Sequence, residues 1–344
     1  MSAGVPQGSV LGPLLWNIAF DFVLRLEQEE GCRTVCYADD TLIVSTSSGA
    51  FDAVLRANIM AARVVRRIRG LGLSIAAQKT EAVYFYGKGK EPRVMPTVYV
   101  DNAYVTTTTS MKYLDVMIDS RWSFQDHFRY IETKTSKVSR ALFRLMPNLR
   151  CPHEGKRKLY ANVLTSVITY AAPVWSDVLS SAFLRTLQPI IKLQKSVAIR
   201  VVSAYRTLSF DIATLLARMP PWVLQVSLRC RVYGGLTDLR TRGEWTKEAV
   251  AEIKTQERTI MNRQWSARLN RPGAPGTLTR DAIMPHFSDW LGRNFGSISF
   301  RLTQLITEHG CFGHYLYRMR KRDSPACLHC TCLSLNDTVE HTIF

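Results

Sequence analysis

The sequence lacks the long apolar runs and the leader of a membrane or secreted protein. No apolar run is long enough to cross a bilayer, and the first residues contain no charged segment followed by an apolar one. Internal repeats and low-complexity tracts are missing as well. We therefore expect an intracellular protein without a membrane partner, whose 344 residues suffice for two or three domains with ordinary cores.

Acidic residues are scarce relative to basic ones. The chain has 45 Lys and Arg against 28 Asp and Glu, which gives a net charge of +17. Residues 126–206 alone contain 14 basic and 4 acidic residues, so one segment carries a large share of the excess. A concentrated excess of this kind favours a polyanionic partner, above all nucleic acid, over a merely solvated basic surface.

The eight cysteines are unevenly distributed. Scattered cysteines in a chain without an export signal are usually buried, reduced thiols, whereas a cluster suggests a metal site. The scattered ones are Cys32, Cys36, Cys151, Cys230 and Cys311, and the clustered ones are Cys327, Cys330 and Cys332.

The residue pattern changes from mixed to helical near residue 125. Before it, a glycine-rich loop leads into a helix with Ser9 as the expected N-cap, and "RTVCYA" and "TLIVST" indicate a hairpin. An amphipathic helix follows in 51–73, and then strands in "EAVYFYG", "TVYVDNAYV" and "KYLDVMID". After residue 125, three basic helical segments follow one another. The sequence therefore predicts an α+β fold: an antiparallel sheet with helices, followed by helical domains.

Two adjacent acids, Asp39 and Asp40, interrupt the apolar strands of the hairpin. Burying either carboxylate without a partner would be costly, and adjacent like charges repel. An ordinary turn explains "ADD" by itself. The pair at the tip of a rigid hairpin also predicts a site for a hard divalent cation, whose charge removes the repulsion.

Several stretches in sequence order resemble the palm motifs of reverse transcriptases of insect-type non-LTR (LINE-type) retrotransposons. They are "GVPQGSVLGPLLWNI", "YADD", "GLGLSIAAQKTEAVYF" and "KYLDVMID". Further along, "TYAAPVW", "LQKSVAIRVVSAYRT" and "LLARMPP" resemble the thumb and connector of this family. The resemblance implies a partial palm (1–125), a helical thumb (126–205), a helical connector (206–305) and a truncated CCHC-type zinc knuckle (306–344).

The resemblance also implies catalytic roles. Asp39 is expected as the principal ligand of Mg²⁺ or Mn²⁺, with Asp40 in a supporting role, in two-metal nucleotidyl transfer. Lys79 in "QKTE" is expected to protonate pyrophosphate or stabilise its charge, although a solvated side chain explains a single lysine equally well. In "YLDV" the family usually has glycine where Asp115 stands, and Asp is among the few other residues that tolerate a left-handed turn.

Four further residues are expected to contact template or nucleotide. Tyr37 would pack near the primer terminus, and Pro6, Gln7 and Gly8 resemble the residues that line the nascent base pair. Glycine at position 8 would let the backbone approach the template closely.

The C-terminal tail carries three of the four ligands of a zinc site. Cys327, Cys330 and His341 have suitable spacing, and family members carry the fourth ligand a few residues beyond the histidine. Cys332 and His329 are the alternatives for the fourth ligand. A reduced, partly unfolded tail is the competing interpretation.

The parent activity implied by the resemblance is RNA-directed DNA synthesis in target-primed reverse transcription. Its partners would be an RNA template, a DNA primer or target and deoxynucleoside triphosphates, in the nucleus after synthesis in the cytoplasm. The family places a further metal-binding aspartate and the fingers before "PQG", so we expect this chain alone to polymerise poorly or not at all. Two alternatives are a non-catalytic nucleic-acid-binding protein derived from a retrotransposon, and a protein-interaction module built on the helical half.

Overall fold

A computed structural model describes residues 8–87, 89–147, 152–178, 187–328, 330 and 336–343. The chain divides into two compact units, residues 1–127 and 128–344. In the described ranges, the paired strands lie in the first unit, and the second unit is built from helices. The architecture is therefore mixed α+β, mostly helical, with small antiparallel hairpins. The finer four-part division into palm, thumb, connector and knuckle stays a prediction.

The first unit contains two helices and six strands before a long helix begins at its end. They are α1 (Gly12–Leu24), β1 (Cys32–Tyr37), β2 (Asp40–Ser45), α2 (Ala50–Gly70), β3 (Thr97–Val100), β4 (Ala103–Thr106), β5 (Ser110–Tyr113), β6 (Val116–Asp119) and then α3 (Gln125–Arg144).

The remaining described helices belong to the second unit. They are α4 (Glu154–Ile168), α5 (Ala172–Trp175), α6 (Gln188–Val201), α7 (Phe210–Leu216), α8 (Trp222–Arg242), α9 (Lys247–Leu269), α10 (Thr277–Ile283), α11 (Phe287–Gly292), α12 (Phe300–Thr307), α13 (Gly313–Arg318) and α14 (Val339–Ile343). None of them, nor any described helix of the first unit, is long and apolar enough to cross a membrane.

The core of the first unit joins α1, β1 and α2. It contains six buried side chains that face one another across these elements, so the first hairpin rests on a helical support. They are Phe20, Val23, Cys32, Met60, Val64 and Ile68.

The helix α1 differs from the expectation at its start and on its apolar face. Its N-cap position is Leu11, without a side-chain cap, so Ser9 does not cap it. Because only Phe20 and Val23 are buried, other apolar residues at helical spacing along α1 are exposed, among them Ile18 and Phe22. Phe22 is covered only in part, by the Arg67 guanidinium of α2, which lies 3.9 Å from its ring centroid.

The strands form three separate two-stranded antiparallel sheets, β1–β2, β3–β4 and β5–β6, instead of one continuous sheet. Tight two-residue turns explain this, because each of the last two predicted strands folds back on itself. Asp101 and Asn102 have φ of 49° and 66°, and Leu114 and Asp115 have φ of 44° and 65°. These left-handed pairs match the twist of hairpin strands. Asp115 adopts a left-handed conformation at the position where the resembling family usually has glycine. The stretch "EAVYFYG" is not a strand, since within it only Val83 makes a bridge, to Thr108.

Buried polar side chains connect the helices of the second unit. Gln194 in α6 donates to the Pro220 carbonyl and accepts from the Trp222 backbone N–H, both at 2.9 Å. The Trp222 indole donates to Thr165 of α4, also at 2.9 Å. Because these bonds join both α6 and α4 to the start of α8, hydrogen bonds as well as apolar packing position these three helices relative to one another.

The buried carboxylate of Glu154, at the start of α4, accepts hydrogen bonds from three donors. It accepts from Arg218 at 3.2 Å, from Arg293 at 3.5 Å and from the Ile298 backbone N–H at 2.7 Å. A charge this deeply buried is tolerated because it is paired and hydrogen-bonded.

Candidate active site and metal centre

The two acids lie at the tip of the first hairpin, as predicted. Tyr37 of β1 pairs with Asp40 of β2, so Ala38 and Asp39 form a two-residue turn. Ala38 has φ of 51°, the positive value that hairpin turns of this length require at their first central position. Both carboxylates are exposed. Exposure removes the cost of burying two charges and leaves their oxygens accessible to a cation.

A helix supports this turn from below. The Trp16 indole of α1 donates to the Ala38 carbonyl at 3.0 Å and stacks on Phe20, with ring centroids 4.8 Å apart. Phe20 belongs to the buried core, so a chain of contacts runs from the core to the turn. The position of Asp39 is therefore fixed by packing as well as by the turn itself.

The base of the same hairpin depends on Gly31. Its φ is 72°, and its carbonyl accepts hydrogen bonds from the backbone N–H and the hydroxyl of Thr46 across the hairpin base, both at 2.9 Å. A Cβ at this position would lie 2.6 Å from the Thr46 carbonyl oxygen and 2.7 Å from the Arg56 guanidinium. Only glycine fits without displacement of the backbone.

One residue of the third hairpin, Tyr113, is affected by the charge of Asp40. The pKa of the Tyr113 phenol is raised by burial first, and then by the charges of Asp40 and Cys36. Tyr113 is the last residue of β5 and directly precedes the β5–β6 turn with Leu114 and Asp115.

The other predicted site residues of the first unit are less closely assembled. Tyr37 is 64% exposed and Lys79 lies on an exposed 3-10 turn. No described hydrogen bond or ion pair joins Lys79 to Asp39 or Asp40. Gly8 has φ of 87°, with no described atom within 4 Å of an added Cβ, and its contact with a template stays a prediction. Pro6 and Gln7 lie outside the described residues.

The tail brings Cys327, Cys330 and His341 together. Their ligand atoms all lie within 4.8 Å of one another, and Cys330 Sγ lies 2.9 Å from His341 Nε2. Thiolate and imidazole at such separations fit three corners of a tetrahedral zinc site, in which metal–ligand bonds measure about 2.0 to 2.3 Å. Among the described residues this is the only convergence of three or more potential metal ligands. The alternatives for a fourth ligand, His329 and Cys332, lie outside the described residues.

A single carboxylate holds the histidine side of this cluster in place. Asp337 Oδ2 accepts from the Gly313 backbone N–H at 2.7 Å and pairs with Arg322 at 3.5 Å, and the Asp337 carbonyl accepts from His314. Val339 then packs on α13. His341, on the short helix α14, is thus positioned by contacts that do not involve a metal.

Two residues of the aspartate site were missed by reasoning from the sequence. Trp16 and Tyr113 are connected to the turn by tertiary interactions that no sequence motif indicates. A partly buried indole requires a hydrogen-bond acceptor, and this requirement is the signal that points to Trp16.

Residues 1–118 match the family described as Reverse transcriptase (RNA-dependent DNA polymerase). Over 95% of this chain, it is 24% identical to a 115 kDa protein of the type-1 retrotransposable element R1DM of Drosophila melanogaster, of which it covers 32%. It is 25% identical, over 94% of this chain, to a Pol polyprotein from type-1 retrotransposable element R1 of Nasonia vitripennis, of which it covers 98%.

A shorter similarity extends to a third element. The RNA-directed DNA polymerase from mobile element jockey of Drosophila melanogaster is 25% identical over 51% of this chain, which covers 19% of that protein. The chain thus spans about a third or less of two of these relatives and nearly all of the other. No solved structure matches. The helix α1, the aspartate hairpin and most of the third hairpin lie within the matched range, so residues 1–118 are a reverse transcriptase domain related to the polymerases of insect non-LTR retrotransposons.

Proposed function

We propose that this chain binds a DNA primer on an RNA template and presents the primer end to Asp39 and Asp40 for nucleotide addition. The observation that carries the proposal is the two-residue turn itself. It exposes two adjacent carboxylates on a hairpin that is held by Trp16 and by the close packing at Gly31.

The residues of the turn would hold Mg²⁺ or Mn²⁺ through carboxylate oxygens, the ligands that these hard cations prefer. When bound, such cations activate the attacking hydroxyl and neutralise the leaving pyrophosphate. Asp39 would be the principal ligand of the metal, and Asp40, the first residue of β2, would have a supporting role. Tyr37, exposed beside the pair, would pack against the primer terminus. Lys79 would stabilise the charge of pyrophosphate.

The metal affinity of this arrangement is expected to be low. Two exposed carboxylates supply few ligands, and in the described part of the chain no third ligand-bearing side chain groups with them. A weakly held cation favours slow nucleotide addition by the chain alone. The binding of nucleic acid to the chain does not depend on this low affinity for the metal.

The thumb-like region supplies a surface for the nucleic-acid backbone. Four basic side chains of α3, Arg129, Lys137, Arg140 and Arg144, are exposed. At about 100° per residue they fall within one narrow face of the helix, and they span about 22 Å of its length. The opposite face is buried through Phe128 and other residues. A straight row of cations of this length suits a row of phosphates.

The tail would bind Zn²⁺ through Cys327, Cys330 and His341, and the adjoining basic run of Arg318, Arg320, Lys321 and Arg322 would contact nucleic acid. The proposed substrates are deoxynucleoside triphosphates, and the proposed site of action is nuclear DNA.

The test is fluorescence anisotropy of a labelled RNA–DNA hybrid across a salt series. For the wild type we expect a log–log slope of about −0.9 for each phosphate contact, as for duplex DNA. The double variant Lys137→Gln/Arg144→Gln should lower the magnitude of the slope by about two contacts. The matched control Lys254→Gln/Arg258→Gln removes two exposed cations from α9 and should leave the slope unchanged. A wild-type slope near zero would remove nucleic acid as the partner.

A second candidate is a nucleic-acid-binding protein without catalytic activity. The absence of a third metal ligand beside Asp39 and Asp40 in the described residues favours it. The two functions differ in one result: only the polymerase adds nucleotides to a bound primer in a reaction that requires Asp39.

A further inference from the structure

An exposed aromatic pair lies in the first unit, on segments outside the aspartate hairpin. The rings of Phe85 and Trp122 stack with centroids 5.2 Å apart and an interplanar angle of 20°. Trp122 is 51% exposed and Phe85 is 40% exposed. Single exposed apolar residues are ordinary, but two large rings stacked at the surface form a flat aromatic face.

The loop that presents Trp122 is rigidly built. The buried carboxylate of Asp119 accepts hydrogen bonds from the backbone N–H groups of Arg121 and Ser123, at 3.1 and 3.0 Å, and from that of Phe124. Trp122 and Phe124 both have φ of 54°, a left-handed conformation that bulky residues rarely adopt. The backbone is therefore held in an unfavourable conformation that keeps the indole at the surface.

Packing restricts the indole further. The ring of Phe124, which is buried, lies 5.9 Å from the Trp122 ring at an angle of 59°. With Phe85 on one side and Phe124 on another, Trp122 has little freedom to turn inward. The exposed part of the indole is thus preorganised, so binding a ligand there would cost little conformational entropy.

Positive charge adjoins the aromatic face. Arg121 is exposed beside Trp122, with its guanidinium 5.8 Å from the Tyr86 ring centroid and 3.3 Å from Glu91. Lys90 and Arg93 are exposed on the segment that follows Phe85. Three exposed cations against one exposed acid, Glu91, favour an anionic partner, and a flat aromatic face favours a planar one. A single-stranded nucleic acid has both properties, since every base offers a π-face beside a phosphate.

The position along the chain suits a strand that also reaches the aspartate turn. Trp122 follows Tyr113 by nine residues, and Tyr113 lies within the electrostatic influence of Asp40. Nine residues span at most about 30 Å, roughly the length of nine stacked nucleotides. One short strand can therefore contact both places.

We propose that Phe85 and Trp122 form a stacking platform for an unpaired base of single-stranded template or displaced strand, with Arg121 beside its phosphate. This inference rests on the proposed nucleic-acid-binding function and adds to it a specific site and the unpaired state of the base. The interior bases of a duplex cannot bind to the platform because both of their faces are already stacked on neighbouring bases.

The experiment measures anisotropy of a fluorescein-labelled 12-nucleotide oligo(dT) and of an abasic strand of the same length, with the full chain. Trp122→Asn removes the ring and tolerates the left-handed backbone. It should weaken binding to oligo(dT) by roughly 5- to 150-fold, the effect of losing one base–aromatic stack, with the salt slope unchanged. Trp122→Phe should recover most of the affinity. The abasic strand should bind wild type and Trp122→Asn equally.

Two further variants separate stacking from general damage. Phe85→Ala removes the second ring at an ordinary backbone position and should also weaken oligo(dT) binding. Tyr104→Asn is the matched control, because Tyr104 is 83% exposed and lies against Tyr99 in another aromatic pair, with centroids 5.2 Å apart. It should leave binding unchanged, and thermal melting confirms that each variant folds.

Wild-type affinity of Trp122→Asn and Phe85→Ala for oligo(dT) would overturn the inference, as would an equal loss on the abasic strand. In both cases the proposed function survives, because wild type still binds. If the wild type binds neither strand nor the RNA–DNA hybrid, this result would contradict both the proposed function and the stacking platform.

Discussion

The aspartate turn and the Cys/His cluster are both candidate metal sites, and the two sites differ in how the chain brings their residues together. At the turn, the backbone places two exposed carboxylates, while side-chain contacts hold only the support beneath them. In the tail, side chains from two segments converge until their ligand atoms lie within 4.8 Å. The comparison leads us to expect that a bound cation would stabilise the tail, where its ligands come from separate segments, more than the turn, where both carboxylates are neighbours in sequence.

The largest effect is expected from a change of a ligand in the tail. Cys330→Ser removes a thiolate from a site that has three described ligands, so bound zinc should fall from about one ion per chain to near none. Elemental analysis of the purified protein measures this, and hydrogen exchange over 326–343 should increase. Cys311→Ser is the control, since Cys311 is exposed and lies outside the cluster. Full zinc content in Cys330→Ser would show that the three side chains are not ligands.

The hairpin beneath the turn is expected to respond strongly to a change of backbone. Gly31→Ala should lower the free energy of unfolding by about 2 to 4 kcal/mol, since a left-handed alanine is unfavourable and its Cβ meets the Thr46 carbonyl. Urea unfolding measures the loss.

The control for this prediction is Gly72→Ala. Gly72 has nearly the same φ, 74°, with nothing within 4 Å of an added Cβ, so the substitution should cost about 1 kcal/mol. Equal losses in the two variants would mean that the close approach at Gly31 contributes nothing.

A moderate, pH-dependent effect is expected from His309, which supports the helix on which the tail rests. Its ring stacks on Tyr315 of α13 at 4.8 Å and contacts Thr207 and Arg318. Burial, and then the charge of Arg318, lower the pKa of His309 to about 4.

The sign follows from proton uptake. Between about pH 6.5 and 4 the unfolded chain binds the proton and the folded chain does not, so the contribution of His309 is complete above pH 6.5 and is lost as the pH falls towards 4. The shift corresponds to about 1 to 2 kcal/mol after a reduction for solvent screening. His309→Asn should flatten this part of the stability profile in urea unfolding at pH 7, 5.5 and 4.5. The control His286→Gln changes an exposed histidine, and a profile unaltered by His309→Asn would contradict the assignment.

The smallest effect is expected at the aspartate turn itself. Asp39→Asn changes an exposed side chain, so the free energy of unfolding should stay within about 0.5 kcal/mol of the wild type. A larger loss in thermal or urea unfolding would show that Asp39 stabilises the fold, and the contrast with the tail would disappear.

The local pattern in the sequence predicted the parts of the molecule that depend on neighbouring residues. The hairpin of "YADD", the amphipathic helix before Gly70 and the helical region after residue 125 are all determined by periodicity and turn residues. The position of Asp39 and Asp40 at the hairpin tip follows from the same information. Likewise, the left-handed conformation of Asp115 follows from the turn that it occupies.

Features that depend on contacts distant in sequence could not be predicted in this way. The support of the turn by Trp16 joins residues 22 positions apart, and the exposed face of α1 depends on which neighbours are present. Helical spacing alone identifies an apolar stripe without saying what covers it. Similarly, the order of the last strands did not reveal that each folds back on itself, because a two-residue turn occupies so little sequence.

The most direct test of the account is primer extension on poly(rA)/oligo(dT) with Mg²⁺, at protein concentrations where anisotropy shows the primer–template bound. We predict that the wild type incorporates nucleotide slowly but measurably above Asp39→Asn, because two exposed carboxylates bind Mg²⁺ weakly. Incorporation no greater than that of Asp39→Asn would contradict the proposed polymerase function and would favour the non-catalytic nucleic-acid-binding protein.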